Sequence, residues 1–148
     1  MPERIMPPIL GFQGEFRFLS NFWPASVQLD DVTYPTTEHA YQAAKSLDPE
    51  YRELVLSLDS PGKSKKLARS VELRPDWEQV KLGIMEDLNR QKYTNHPELR
   101  AALLSTGDAY IEELNTWNDT WWGTCNGKGR NELGKLLMRI RRELGGEA

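Results

Sequence analysis

The chain has 148 residues, with 19 Lys+Arg against 22 Asp+Glu and a formal net charge of −3 at pH 7. Its 39% hydrophobic content suits one domain, expected over residues 1–148, that buries roughly 70% of its extended surface without disulfide staples. A mean hydropathy of −0.64 and a pI near 5.5 argue against a membrane protein and against a general nucleic-acid coat, and Cys125 with His39 and His96 offers no zinc-ligand spacing.

The N-terminal stretch is punctuated by Pro2, Pro7 and Pro8 and lacks the apolar centre of a signal peptide, so a reducing cytoplasm is expected. Residues 15–19 read as a short strand, and residues 27–34 as a hairpin turning at Asp30 and Asp31. From Pro35 the texture turns helical. Thr36 or Thr37 caps a helix expected to run to about Leu47, with Ala40, Ala43, Ala44 and Leu47 at helical spacing. Asp48-Pro49 and Ser60-Pro61 start short helices near 49–57 and 61–69. A longer helix follows over about 76–93, then one from His96-Pro97 that stops before Gly107, and a strand candidate at 110–114. Asn131 caps a last helix whose Leu133, Leu136, Leu137, Ile140 and Leu144 form a core-facing stripe.

Segments of unusual composition are the candidates for chemistry. Ser20 and Asn21 sit inside an aromatic run, Phe16 to Trp23. A polar pair there needs partners if buried, either the amides of a turn or the hydroxyls of a ligand. Glu38, Tyr41, Gln42 and Lys45 project from one side of a helix. Spacing alone points first to a solvated face, and secondly to a pocket wall. Glu38, near a helix N-terminus, suits an anionic stabiliser or base, and Lys45 becomes a nucleophile only if desolvated.

Residues 119–131 run through Gly123, Gly127 and Gly129 into the last helix, with Lys128 and Arg130 alongside. This is either an anion cradle of free amides or a loop-to-helix entry with solvated cations. A P-loop fails because Leu136 stands at the Ser/Thr position, and the dinucleotide fingerprint fails because Glu132 replaces the third glycine. The basic run Lys63, Lys65, Lys66 and Arg69 reads as a solvated face and receives no function.

Four ordered motifs together resemble the NADAR (YbiA-like) domain family. They are Gly11-Phe12 through Phe18-Leu19-Ser20-Asn21-Phe22, then Tyr34-Pro35-Thr36-Thr37-Glu38-His39-Ala40-Tyr41-Gln42-Ala43-Ala44-Lys45. Leu103-Leu104-Ser105-Thr106-Gly107-Asp108 with Glu112 is the third, and Asn118-Asp119-x-x-Trp122-Gly123 through Gly129-Arg130-Asn131-x-Leu133-Gly134 and the following helix is the fourth.

The resemblance implies a mainly helical α+β fold with a small antiparallel sheet, and an N-glycosidase that cuts the bond between a base nitrogen and C1′ of a ribose phosphate. Early riboflavin-pathway aminopyrimidine ribotides are the first substrate expected. ADP-ribosyl-guanine, attached to nucleic acid or free, is the second, and a non-catalytic module for NAD-derived ligands is the alternative of another class. Neither metal nor other cofactor is expected, and no membrane partner.

Glu38 and Asp119 are the candidate carboxylates for the charge that builds on the ribose. Lys45 offers an imine route through C1′. Trp122 is the candidate plane for the base, and Ser20, Asn21, Gly123, Arg130 and Asn131 complete the expected binding set, with phosphate placed by Arg130 and the amides near Asn131.

Overall fold

In a computed structural model that describes residues 6–145, the chain divides into two compact units. One comprises Asn21–Asn95, and the other joins the segment ending at Ser20 to the chain from His96 onward.

In the first unit, β2 (Pro24–Leu29) and β3 (Val32–Thr36) form an antiparallel hairpin. Leu29 pairs with Val32, so Asp30 and Asp31 are the whole loop, and both take positive φ (49° and 68°). That is the left-handed conformation a tight hairpin needs and that Asp tolerates. Val27 and Tyr34, paired across the strands, are buried.

The hairpin leads into α1 (Thr37–Ala44), which packs against both strands, α2 (Pro49–Ser57), α3 (Pro61–Leu67) and α4 (Trp77–Asn95). All eight residues of α1 are buried, and Ala40, Ala43 and Ala44 are the small side chains that let so many neighbours approach one short helix. Pro at the first position, behind an Asp48 or Ser60 cap that accepts an amide, starts α2 and α3 as expected. The third helix ends at Leu67 and tightens into a 3₁₀ turn, Ala68–Ser70.

In the second unit, β1 (Ile9–Leu10) lies parallel to β4 (Ile111–Glu112), and the latter packs on α6 (Glu132–Leu144), which also meets α5 (Pro97–Ser105). Gly134 makes the first packing possible, because a Cβ there would collide with the Ile111 carbonyl and the Asn131 side chain. The stripe Leu133, Leu136, Leu137 and Ile140 is buried.

The mainly helical α+β class stands, with three differences from the sequence reading. Residues 15–19 belong to a 3₁₀ helix, Gly14–Leu19. Phe16 and Phe18 imitate strand alternation, but the neighbours Phe18 and Leu19 are both buried, and Phe16 and Ser20 donate to the carbonyls three residues back. The sheet is two separate pairs, one of them parallel, because Tyr110 and Glu112 accept from the amides of Ile9 and Gly11; the strand at 110–114 shrinks to two residues. Finally α1 stops at Ala44 rather than Leu47. Pro49 holds Asp48 extended, and the Ser46 hydroxyl accepts the Asp48 amide at 3.1 Å.

Candidate active site

A short helix buried on every side must find partners for its orphan backbone groups within the protein. At the N-terminus of α1, Thr36 Oγ1 accepts the His39 amide at 3.0 Å and the Asn21 carbonyl accepts the Glu38 amide at 3.0 Å. At the C-terminus, Tyr51 donates its hydroxyl to the Gln42 carbonyl at 2.9 Å, and the Arg74 amide donates to the Lys45 carbonyl at 2.7 Å. Arg52 Nε donates to the Ser46 carbonyl at 2.8 Å. Arg74 also reaches the Ala44 carbonyl and is held by both oxygens of Asp76 at 2.6 and 3.1 Å.

The side chains divide into those consumed by folding and those left with capacity. His39 is consumed. Its Nε2 lies 3.0 Å from the Leu58 carbonyl, which only accepts, so Nε2 carries the proton and Nδ1 takes the Thr36 hydroxyl at 2.8 Å. Glu38 is buried, and Gln42 Nε2 donates to its Oε2. Lys45, one helical turn beyond Gln42 on the same face, is half-buried, and its side chain makes no hydrogen bond or ion pair among the described residues. Its ammonium lies 5.5 Å from the Tyr41 ring centroid, and Tyr41 packs on Trp77 at 5.2 Å.

Burial holds the Lys45 pKa below the ordinary lysine range; the Glu38 carboxylate opposes this, and the Lys65 and Lys81 charges reinforce it. A carboxylate and a partly desolvated amine thus share one face. The spacing-based preference for a solvated face is overturned, because the neighbours that cover α1 come from three other helices and a hairpin.

Asn21 is buried beside this helix, but its side chain is engaged: Nδ2 lies 3.4 Å from Met85 Sδ, and Oδ1 accepts from Asn89 at 3.3 Å. Its carbonyl is what touches Glu38. Ser20 closes the 3₁₀ helix, its amide donating to the Arg17 carbonyl at 3.0 Å.

In the other unit, Asp119, Trp122, Gly123, Arg130 and Asn131 fall in one loop, whose bonds are largely internal. Asp119 Oδ1 accepts the Trp121 and Trp122 amides at 3.1 and 2.9 Å. The Trp121 and Trp122 rings meet edge to face at 4.5 Å. The amides of Arg130, Asn131, Glu132 and Leu133 donate to the carbonyls of Thr120, Gly123, Trp121 and Trp122 at 2.8 to 3.2 Å. The expected phosphate cradle of free amides before the last helix is therefore not formed, since a nest that donates to its own loop has nothing left for an anion.

Asn131, with φ 53°, uses its side chain as a brace, Oδ1 accepting from the Glu113 amide and Nδ2 donating to the Ile111 carbonyl, both at 2.9 Å. Gly123 is dictated by close approach, because a Cβ would strike the Glu113 carbonyl. Arg130 stacks 5.0 Å from the Trp121 centroid and pairs with Glu132 at 3.0 Å, with its side chain still 61% exposed.

The sequence reading gave no part to Trp77, Arg74, Asp76, Lys65 or Lys81. Lys65 lay in a run that composition assigns to solvent, and nothing in the spacing between residues 45 and 81 announces that these groups attend α1.

Comparison with known proteins gives the family. The NADAR domain model matches residues 12–145. The chain belongs to the NADAR domain family. It is 45% identical over 130 residues to the N-glycosidase YbiA of Shigella boydii, covering 84% of this chain and 79% of that one. A riboflavin biosynthesis protein of Vibrio vulnificus is 36% identical over 130 residues, 86% of this chain but 35% of the longer relative. The solution structure of Escherichia coli YbiA superposes with a TM-score of 0.82 at 39% identity, covering 95% of this chain and 88% of that one. Among the described residues, no helix is long and apolar enough to cross a membrane.

Proposed function

We propose that this N-glycosidase acts on a phosphoribosylated amine of the riboflavin pathway and that α1 carries its chemistry, with Lys45 as nucleophile and Glu38 as proton carrier and anionic stabiliser. The observation that carries the reading is the pair itself: a buried carboxylate fixed by Gln42 and a partly desolvated lysine on one face of a fully buried helix. The name of the Vibrio relative supports the pathway.

A ribose joined to an exocyclic amine opens to an imine at C1′. The neutral Lys45 amine adds to C1′, a proton passes by way of Glu38 from the lysine nitrogen to the base nitrogen, and the C1′ bond to the base breaks as the lysine imine forms. Water then adds to that imine, returning the free lysine and an aldehyde that closes to ribose 5-phosphate. Glu38 offsets the positive charge of both imines. Burial matters because it keeps more of the lysine unprotonated at neutral pH.

In this reading Asp119 is a positioning residue rather than a second catalytic carboxylate, since its Oδ1 is occupied by the Trp121 and Trp122 amides.

The test is turnover of the aminopyrimidine ribotides, read as released ribose 5-phosphate. Turnover of the ribotides is the expected result. Restored guanine from ADP-ribosyl-guanine with ribotides untouched would move the substrate to that class, and protection of the protein by ligands without turnover of either would make it a binding module.

A further inference from the structure

Gln42 is 3% exposed and holds one of the few buried side-chain atoms without a partner. Its orientation is fixed by chemistry. A carboxylate only accepts, so the amide presents Nε2 to Glu38 and turns Oε1 away. That Oε1 has no donor among the described residues. The side chain is held by that bond to Glu38, and its main chain by the Tyr51 hydroxyl and the Lys45 amide, at 2.9 and 3.3 Å from its carbonyl. Every backbone carbonyl from Ala44 to Ser46 on this helix end has a donor. Thr37 Oγ1 and Arg52 Nη2 nearby are also buried without a partner among the described residues, but the Gln42 oxygen alone of the three belongs to a side chain bonded to Glu38, and an acceptor left open there is a place for a donor that arrives with the ligand.

We propose that Gln42 Oε1 accepts the ribose 2′-hydroxyl of the substrate. The inference rests on the reading of Glu38 and Lys45 given above, because that reading puts C1′ on this face, and the 2′-hydroxyl is borne by the carbon next to it. The leaving nitrogen is the other nearby donor. It is a poorer match, since its hydrogens change as the proton passes through Glu38 and it departs with the base, whereas the hydroxyl keeps its proton from binding to release. A bond to this hydroxyl that tightens as charge builds at C1′ also favours the transition state over the bound substrate. Gln42 would so do two things with one amide, orienting Glu38 through Nε2 and selecting a ribosyl substrate through Oε1.

The experiment compares the native protein and Gln42→Met on three ribotides, the natural one and its 2′-deoxy and 3′-deoxy forms. Thermal unfolding of each protein confirms that the variant is folded. Native enzyme is expected to lose about 10-fold or more in kcat/KM on the 2′-deoxy substrate. Gln42→Met should lose at least as much on the natural substrate and little further on the 2′-deoxy one, while its loss on the 3′-deoxy substrate multiplies independently. Independent multiplication on the 2′-deoxy substrate, or coupling only to the 3′-hydroxyl, overturns the proposal while leaving Glu38 and Lys45 in place. Absence of native turnover on the natural ribotide would instead bring down the reading of the site itself, and this inference with it.

Discussion

The helix α1 and the loop over residues 118–131 were both candidates by composition, the loop the better one, and folding treats them in opposite ways. The loop has more of the groups that bind ligands: glycines, two cations, an aspartate and a run of amides at a helix N-terminus. Its amides go to its own carbonyls, its aspartate holds its own tryptophan turn, and Asn131 braces Glu113 and Ile111. The helix has fewer such groups, but after its caps and carbonyls are satisfied it retains an amine and an amide oxygen with capacity to spare. Binding potential is what remains after the fold has taken its share, and composition counts the groups before that subtraction.

The largest expected effects fall on the helix. Lys45→Ala should lower turnover by 10³-fold or more, and Glu38→Gln by 10²-fold or more, about 4 and 2.7 kcal/mol of barrier height. Steady-state kinetics on the ribotide measures both. Rates within threefold of native in either variant would reverse the comparison and send the search for catalytic groups to the loop.

A second buried lysine sharpens the point that burial alone does not make a site. Lys92 in α4 is fully buried, its ammonium 5.1 Å from the Tyr93 ring centroid, and burial brings its pKa down to about 7. Between that value and the ordinary lysine pKa, the unfolded chain binds a proton that the folded one does not. Stability then rises with pH across that window. Lys92→Met should therefore be more stable than native by a few kcal/mol near pH 7, an upper figure because the native state relaxes around a buried charge. The difference should shrink toward pH 10. Denaturant midpoints at several pH values measure it, and a pH-independent difference would contradict the account.

Asp119 separates holding from chemistry. Asparagine keeps an oxygen for the Trp121 and Trp122 amides, so Asp119→Asn should leave turnover within about threefold. Asp119→Ala should cost roughly 1–3 kcal/mol of stability by stranding two amides. A 10²-fold loss of turnover in Asp119→Asn with unchanged stability would restore the aspartate as a catalytic carboxylate.

The smallest expected effect is electrostatic. The charge of Lys65 helps to hold the Lys45 pKa down. In native enzyme kcat/KM should rise with pH through a value below the ordinary lysine range, where Lys45 sheds its proton. Lys65→Gln should move that limb to higher pH by a fraction of a unit, at unchanged maximum rate. A shift to lower pH would have the wrong sign.

The sequence was most legible where a single residue type forces the backbone. Asp30-Asp31 set the hairpin, and Pro49, Pro61 and Pro97 set helix starts that the structure reproduces. The face shared by Glu38, Gln42 and Lys45 follows from helical spacing alone. What spacing could not supply was the environment of that face. The partners that bury α1 come from the hairpin, α2, α3 and α4, and Trp77 and Arg74 reach it only through the tertiary fold. The loop failed for the same reason in reverse, because amides that look free in a glycine-rich string are paired once residues 120–123 curl back on 130–133.

The most direct test of the central claim is reduction with borohydride during turnover, followed by peptide mapping. A ribose 5-phosphate adduct joined through C1′ to the Lys45 nitrogen is the expected result, in amounts that fall to background in Lys45→Ala. Full turnover with no adduct, or an adduct on another lysine that persists when Lys45 is replaced, would contradict it.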